Sequence, residues 1–154
     1  MEYWQSLRQH VGHETLILPS AAGAIVKDGK LLLVRSVGAQ MWQIPGGLCE
    51  LGETMQATAQ REIKEELGLV MEPRELIAVY SGANWATVHP NGDKIQNLML
   101  FFKMEGEVKN IQLQESEISE YRFVSPGEVP ENTMACCKQK VSDYFAYQGQ
   151  TLLR

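Results

Sequence analysis

Little in this 154-residue chain could staple a fold from outside a hydrophobic core. Three cysteines occur, Cys49, Cys136 and Cys137. The count is odd, two are adjacent and none stands in a C-x-x-C pair, which argues against a disulfide framework or a structural zinc site. Basic residues are in deficit, 14 against 19 acidic, for a net charge of −5. Such a chain has no surplus with which to coat DNA or an anionic membrane by releasing counterions. A small phosphate-bearing ligand stays open, because a bound divalent cation reverses the local sign. No apolar run reaches the roughly 18 residues of a membrane helix. The opening MEYWQSLRQHVGHE lacks the basic start and apolar stretch of a secretory signal. A cytoplasmic protein with free thiols is the expectation. Also missing are a phosphate-binding G-x-x-x-x-G-K-[ST] loop, a dinucleotide fingerprint and a nucleophile elbow.

What the chain does hold is a core-forming composition, 44% hydrophobic and 21% charged, over a length that fits one domain spanning residues 1–154. Glu2–His10 has an apolar side and predicts a short helix. Ala21–Lys27 and Leu31–Arg35 predict strands joined by a tight Asp28-Gly29 turn. Trp42–Ile44 reads as extended ahead of Pro45, and Gly46-Gly47 as a loop. Thr54–Leu67 is helical, with Thr54 suited to the N-cap and Gly68 to the left-handed stop. Glu75–Ser81, Gln96–Lys103 and Tyr121–Val124 predict strands. Between the first two, Gly82–Ile95 predicts a long loop or a hairpin with a Pro-Asn-Gly turn. A last helix is expected from Glu131 to about Tyr147, with Met134, Cys136 and Cys137 toward the core. Interleaved strands and helices imply an α/β or α+β sandwich with a mixed sheet.

Chemistry concentrates in Gly46–Leu69, GGLCELGETMQATAQREIKEELGL. At 3.6 residues per turn, Glu65 lies about −60° and Glu66 about +40° from Glu62. Three carboxylates therefore share one arc, beside the stripe of Ala59, Ile63 and Leu67 that faces the core. Arg61 stands four residues before Glu65, within reach of an ion pair. Like charges packed this closely repel and raise one another's pKa values. A hard divalent cation between the oxygens resolves both problems and bridges to substrate phosphates. A bare E-x-x-E-E is, by itself, more often a solvated face.

The surroundings of these acids change that reading. Gly47, Glu53, Arg61-Glu62-Ile63, Glu65-Glu66 and Gly68-Leu69 match, without a departure, the signature of the Nudix (MutT-like) hydrolases, which this box from Gly47 to Leu69 resembles. Average residue usage puts a chance match at about 10⁻⁸. The resemblance implies an α/β/α sandwich and cleavage of a pyrophosphate bond in a nucleoside diphosphate linked to another moiety. Nucleoside triphosphates, nucleotide sugars and dinucleotides all fit that description. It implies Mg²⁺ or Mn²⁺ held by Glu62, Glu65 and Glu66, with the Gly47 carbonyl joining them. Glu53 would ligate indirectly or order the loop, and Arg61 would orient the glutamates. The alternative is a catalytically idle Nudix-like module that binds a nucleotide and regulates a partner.

The general base lies within the box in some members of that family and on a later loop in others. Here QLQESEISEYRFV (112–124) carries Glu115, Glu117 and Glu120. Glu115 resembles the later-loop position, and the other two acids stay open. ADP-ribose-type members tend to carry a proline at a set distance beyond the box; that distance lands here on Trp85. Trp85 is the first candidate to stack on a nucleobase, ahead of Tyr80 and Phe102. The loop around it either chooses the substrate or makes a contact between two copies of the chain. His10, His13 and His89 show no ligand spacing. The expected partner is a small nucleotide, not a nucleic acid or a membrane.

Overall fold

Successive residues of a strand face opposite sides, and in this chain that alternation sorts the core into two layers. A computed structural model describes residues 3–89 and 91–154. Glu2 of the expected first helix and Pro90 of the expected turn lie outside the described residues. Helix α1 (Tyr3–Val11) leads into β1 (Leu16–Ala24), β2 (Val26–Lys27), β3 (Lys30–Ser36), β4 (Trp42–Gln43) and β5 (Gly46–Leu48). Helix α2 (Met55–Leu67) is followed by β6 (Glu72–Tyr80), a 3-10 turn at Ala83–Trp85, β7 (Ala86–Val88), β8 (Lys94–Glu105) and β9 (Ile118–Val124). Helix α3 (Ala135–Ala146) and β10 (Leu152–Leu153) close the order.

Among the described residues, one six-stranded sheet runs β10-β6-β8-β1-β5 with β7 on the free end of β8. It is mixed: β1 is parallel to β8, with Leu16 beside Ile95 and Ala24 beside Lys103, while β5 and β6 are antiparallel to their neighbours. A four-stranded antiparallel sheet places β3 between β4 and β9 at one end and beside β2 at the other. Ala21, Leu32, Val34 and Phe102 pack under α2 with Ala59, Ile63 and Leu67. Their sequence neighbours Ala22, Leu31, Leu33 and Phe101 face the other way, toward Cys137 and Val141 of α3. Helices thus cover both sides of the strands, the α/β/α arrangement expected.

Several boundaries differ from the sequence expectation. The first strand begins at Leu16, because Leu16–Ser20 find hydrogen-bonding partners on β8 that no local pattern announces. Gly46-Gly47 is not a loop but the edge strand β5, paired with Ala22 and Ala21. Helix α3 starts at Ala135, not Glu131, because the residues before it bond to Trp42: its N–H donates to the Asn132 carbonyl, and Met134 N–H donates back. The long segment after β6 contains β7, which pairs with the start of β8.

Candidate active site

Helix α2 starts where the Thr54 hydroxyl accepts a hydrogen bond from Ala57 N–H (3.1 Å), and ends at Gly68. Gly68 has φ +68°, which a side chain would oppose, and its N–H closes on the Lys64 carbonyl. These stops fix the rotation of the helix. With Ala59, Ile63 and Leu67 fully buried, Glu62 and Glu66 are carried to the margin of the core beside β5.

Arg61 organises the acids. Its Nε donates to Glu53 Oε1 (2.6 Å) and its Nη2 to Glu53 Oε2 (3.1 Å), a two-pronged contact. Its Nη1 donates to Glu62 (2.8 Å) and Glu65 (3.1 Å), and Nη2 also reaches the Leu48 carbonyl (2.9 Å). The Glu65 pair expected from the sequence is therefore the weakest part of a wider clamp. Glu53 also accepts from Glu50 N–H and the Thr58 hydroxyl. The Arg61 hydrogen bond, opposed by burial and aided by these donors, holds the Glu53 carboxyl down at about 2. The same partners raise the pKa of Arg61, so it stays charged.

Glu66 lies outside the clamp. It is 4% exposed, and among the described residues its carboxylate accepts one hydrogen bond, from Gly46 N–H (3.1 Å). Burial first, then the charge of Glu62, pushes its carboxyl up to about 8, against the Gly46 bond, and Glu117 and Glu65 add to the rise. Burial also raises Glu62, against the pull of Arg61, with Glu65 and Glu117 contributing. Gly47 packs so closely on the Glu62 carboxylate that a Cβ there would strike it. Only glycine lets the β5 backbone and this carboxylate share the space.

Two expected residues fare differently. Glu115 and Glu117 are both exposed, and of the two it is Glu117 whose charge acts on Glu62 and Glu66. The backbone explains this. Gln112 N–H donates to the Leu67 carbonyl and Gln114 N–H to the Glu66 carbonyl, laying the segment along the end of α2. Glu117 N–H then turns back onto the Gln114 carbonyl. Trp85 stacks at a tilt on Tyr80, ring centres 4.3 Å apart.

Beside β5 opens a cavity of about 490 Å³, within the range of small-molecule sites. Gly46 and Gly47 form part of its wall, so it abuts the carboxylates. Trp85 and Asn84 line it, as do Ile44 and Met99. From α3 come Cys136 and Cys137, which the sequence placed toward the core without a role, and Lys140, which the sequence did not single out. No group of three His, Cys, Asp or Glu among the described residues closes a cage by itself. The donor set still fits a hard cation: the buried Glu66 with one hydrogen bond to its carboxylate, the half-buried Glu62 beside it, the exposed Glu65, and backbone oxygen at β5. Mg²⁺ in particular keeps waters and needs only one or two carboxylates.

Comparison with known proteins agrees with this geometry. The NUDIX domain family model matches residues 17–145. A MutT-like protein of Streptomyces ambofaciens is 33% identical over 113 residues, 73% of this chain and 66% of that protein. An ADP-ribose pyrophosphatase of Methanocaldococcus jannaschii is 36% identical over 90 residues, 56% of this chain and 52% of that one. The matched stretch thus spans about half to two-thirds of the length of these relatives. The crystal structure of a MutT protein from Methanosarcina mazei Go1 superposes with a TM-score of 0.72 at 22% identity, covering 86% of this chain and 96% of that one.

Proposed function

The chain belongs to the NUDIX domain family, and from that premise we propose that it hydrolyses a pyrophosphate bond in a nucleoside diphosphate linked to another moiety. The observation that carries the reading is the junction at β5, where Glu62 and Glu66 meet a nucleotide-sized cavity across Gly46 and Gly47. Members of the family generally need divalent metal ions, and the hard oxygen donors here suit Mg²⁺ or Mn²⁺. Glu62, Glu65, Glu66 and the Gly47 carbonyl would hold the ion. When bound, it would neutralise phosphate oxygens and acidify water.

The protein's own groups do the rest. Arg61 and Glu53 act as positioning residues: their paired hydrogen bonds fix the loop before α2 and keep Glu62 and Glu65 from splaying. The cavity takes the nucleoside, Trp85 offering an aromatic wall. Glu117 is the carboxylate we assign to accept the proton of the attacking water, in place of Glu115. It sits against the acidic cluster on a segment tied to α2.

The test is a panel of nucleoside triphosphates, nucleotide sugars and dinucleotides with Mg²⁺ or Mn²⁺, scored for released phosphate, pyrophosphate or nucleoside monophosphate. Turnover that vanishes on chelation and in Glu66→Gln is the expected result. Tight nucleotide binding without turnover of any member would assign the chain to the non-catalytic alternative.

A further inference from the structure

The deep wall of the cavity carries a charge that the box does not explain. Lys140 of α3 is 2% exposed and lines the cavity. Among the described residues no carboxylate lies within ion-pair distance of it. The nearest candidate on its own helix, Asp143, is committed to Arg154, Gln139 and the Tyr80 hydroxyl. What surrounds the ammonium is soft: Cys137 Sγ at 4.0 Å and the rings of Tyr80 and Trp85, each centred 5.5 Å away. Ring faces attract a cation but take no directed hydrogen bond, and a thiol is a weak acceptor. The contact with Cys137 pulls the Cys136 thiol down, against burial and with help from the charge of Lys140, and among the described residues Cys136 takes none of the ammonium's N–H donors. An ammonium has three such donors and no acceptor, and leaving them unpaired in a buried place is costly.

We propose that Lys140 is the specificity determinant of the nucleoside pocket, donating to the carbonyl at the six-position of a purine or the four-position of a pyrimidine, as in guanine, hypoxanthine, uracil or thymine. The inference rests on the reading of this cavity as the nucleoside site. Two features select a base over another acceptor. The ammonium lies by the Trp85 ring, and the cavity it lines is also walled by apolar Met99 and Ile44, which suits a flat ring. The phosphate end of a substrate is already provided for by the acids held against Gly46 and Gly47 of β5. An exocyclic amine in the same place would set N–H against N–H⁺, so adenine and cytosine lose the contact and gain a repulsion. A site built to hydrogen-bond one group rejects the analogue lacking it far better than an apolar pocket could.

The first measurement needs no variant. Inosine and adenosine triphosphates differ at the six-position, a keto oxygen against an amine; uridine and cytidine triphosphates differ likewise at the four-position. With Mg²⁺ present, kcat/KM should favour the keto member of each pair by at least about tenfold, the scale of one charge-assisted hydrogen bond. Binding of the matching monophosphates, followed without metal by tryptophan fluorescence, should show the same order. Lys140→Met keeps the length of the side chain and should bring both ratios within about threefold of unity. Lys140→Gln provides a second test should the first variant melt early. Equal use of keto and amino members by the wild type, or an amino preference, would overturn the inference. So would a preference that survives in both variants, or competition for the pocket by inorganic phosphate alone. Failure of every phosphoanhydride to react, with the monophosphate order intact, would instead overturn the hydrolase reading.

Discussion

Lys140 lines the cavity and Glu66 is bonded to Gly46 in its wall; both are buried to the same degree, and the protein treats both in the same unfinished way. Each is a few per cent exposed. Glu66 receives one backbone N–H and faces the charges of Glu62, Glu65 and Glu117. Lys140 receives a sulfur and two ring faces. Arg61 and Glu53, five and thirteen residues before Glu66, show what full satisfaction looks like, with two parallel hydrogen bonds, further donors to Glu53 and further acceptors for Arg61. Stability alone would leave no buried charge short of partners. Paired shortfalls of opposite sign at one cavity make sense if a ligand completes both, with a cation and phosphates at the acidic end and a hydrogen-bond acceptor at the basic end.

The largest effect should come from Glu66. Glu66→Gln keeps the shape and the Gly46 hydrogen bond but removes the charge. Turnover at saturating Mg²⁺ should fall by about a hundredfold or more, beyond what loss of a supporting outer partner costs. In metal-free buffer the same variant should melt higher than the wild type, since a neutral amide replaces a crowded buried carboxylate. Loss of activity with lower stability would make Glu66 a structural acid and break the comparison.

Glu117→Gln should lower kcat by about a hundredfold, the usual range for a general base, and leave KM near its starting value. Glu115→Gln should stay within about twofold, because the charges that act on Glu62 and Glu66 include Glu117 and not Glu115. The reverse order would return the base to Glu115.

Arg61→Ala should reduce kcat by about ten- to hundredfold by letting Glu62 and Glu65 move apart. It also carries a pH signature. The folded Glu53 carboxyl titrates near 2, below the ordinary 4.5. Its contribution to stability is therefore complete above about 4.5 and disappears as pH falls toward 2. Chemical denaturation at several pH values should show the wild type more stable than Arg61→Ala at neutrality, with the gap closing through that window. A gap that is independent of pH would mean that Arg61 stabilises through packing.

Legibility in the sequence followed how local the cause was. Helix α2 was readable to the residue, because Thr54 and Gly68 act on their own backbone and the Ala59–Ile63–Leu67 stripe repeats at helical spacing. The box acids were readable for the same reason, along with the strand pair around Asp28-Gly29. What escaped depends on distant pairing. Gly46-Gly47 becomes a strand because β1 offers hydrogen bonds there, and residues before Ala135 stay extended because Trp42 takes them. The path of residues 112–117 along the end of α2 rests on backbone contacts such as Gln114 to Glu66, which no local pattern announces. Lys140 carried no signal at all: on a helix, a lysine three residues after a cysteine reads as solvated surface. Only the packing of α3 against the sheet reveals that it faces inward.

Trp85 should give the smallest effect, because one of its faces is already spent. The ring leans on Tyr80 at 4.3 Å between centres, so only the remaining surface is open to the cavity it lines. Stacking of a base on an aromatic ring is worth about 1–3 kcal/mol in single-strand binders, and a half-covered ring belongs at the lower end. Trp85→Ala should then raise KM for the preferred nucleotide about fivefold with little change in kcat. The ribose-phosphate fragment, which has no base to stack, should be affected by less than twofold. The same substitution also takes one ring from beside Lys140, so the keto preference should weaken together with KM. Equal effects on nucleotide and fragment, or a change confined to the association of two copies of the chain, would move Trp85 out of the base subsite and leave Lys140 to define it alone.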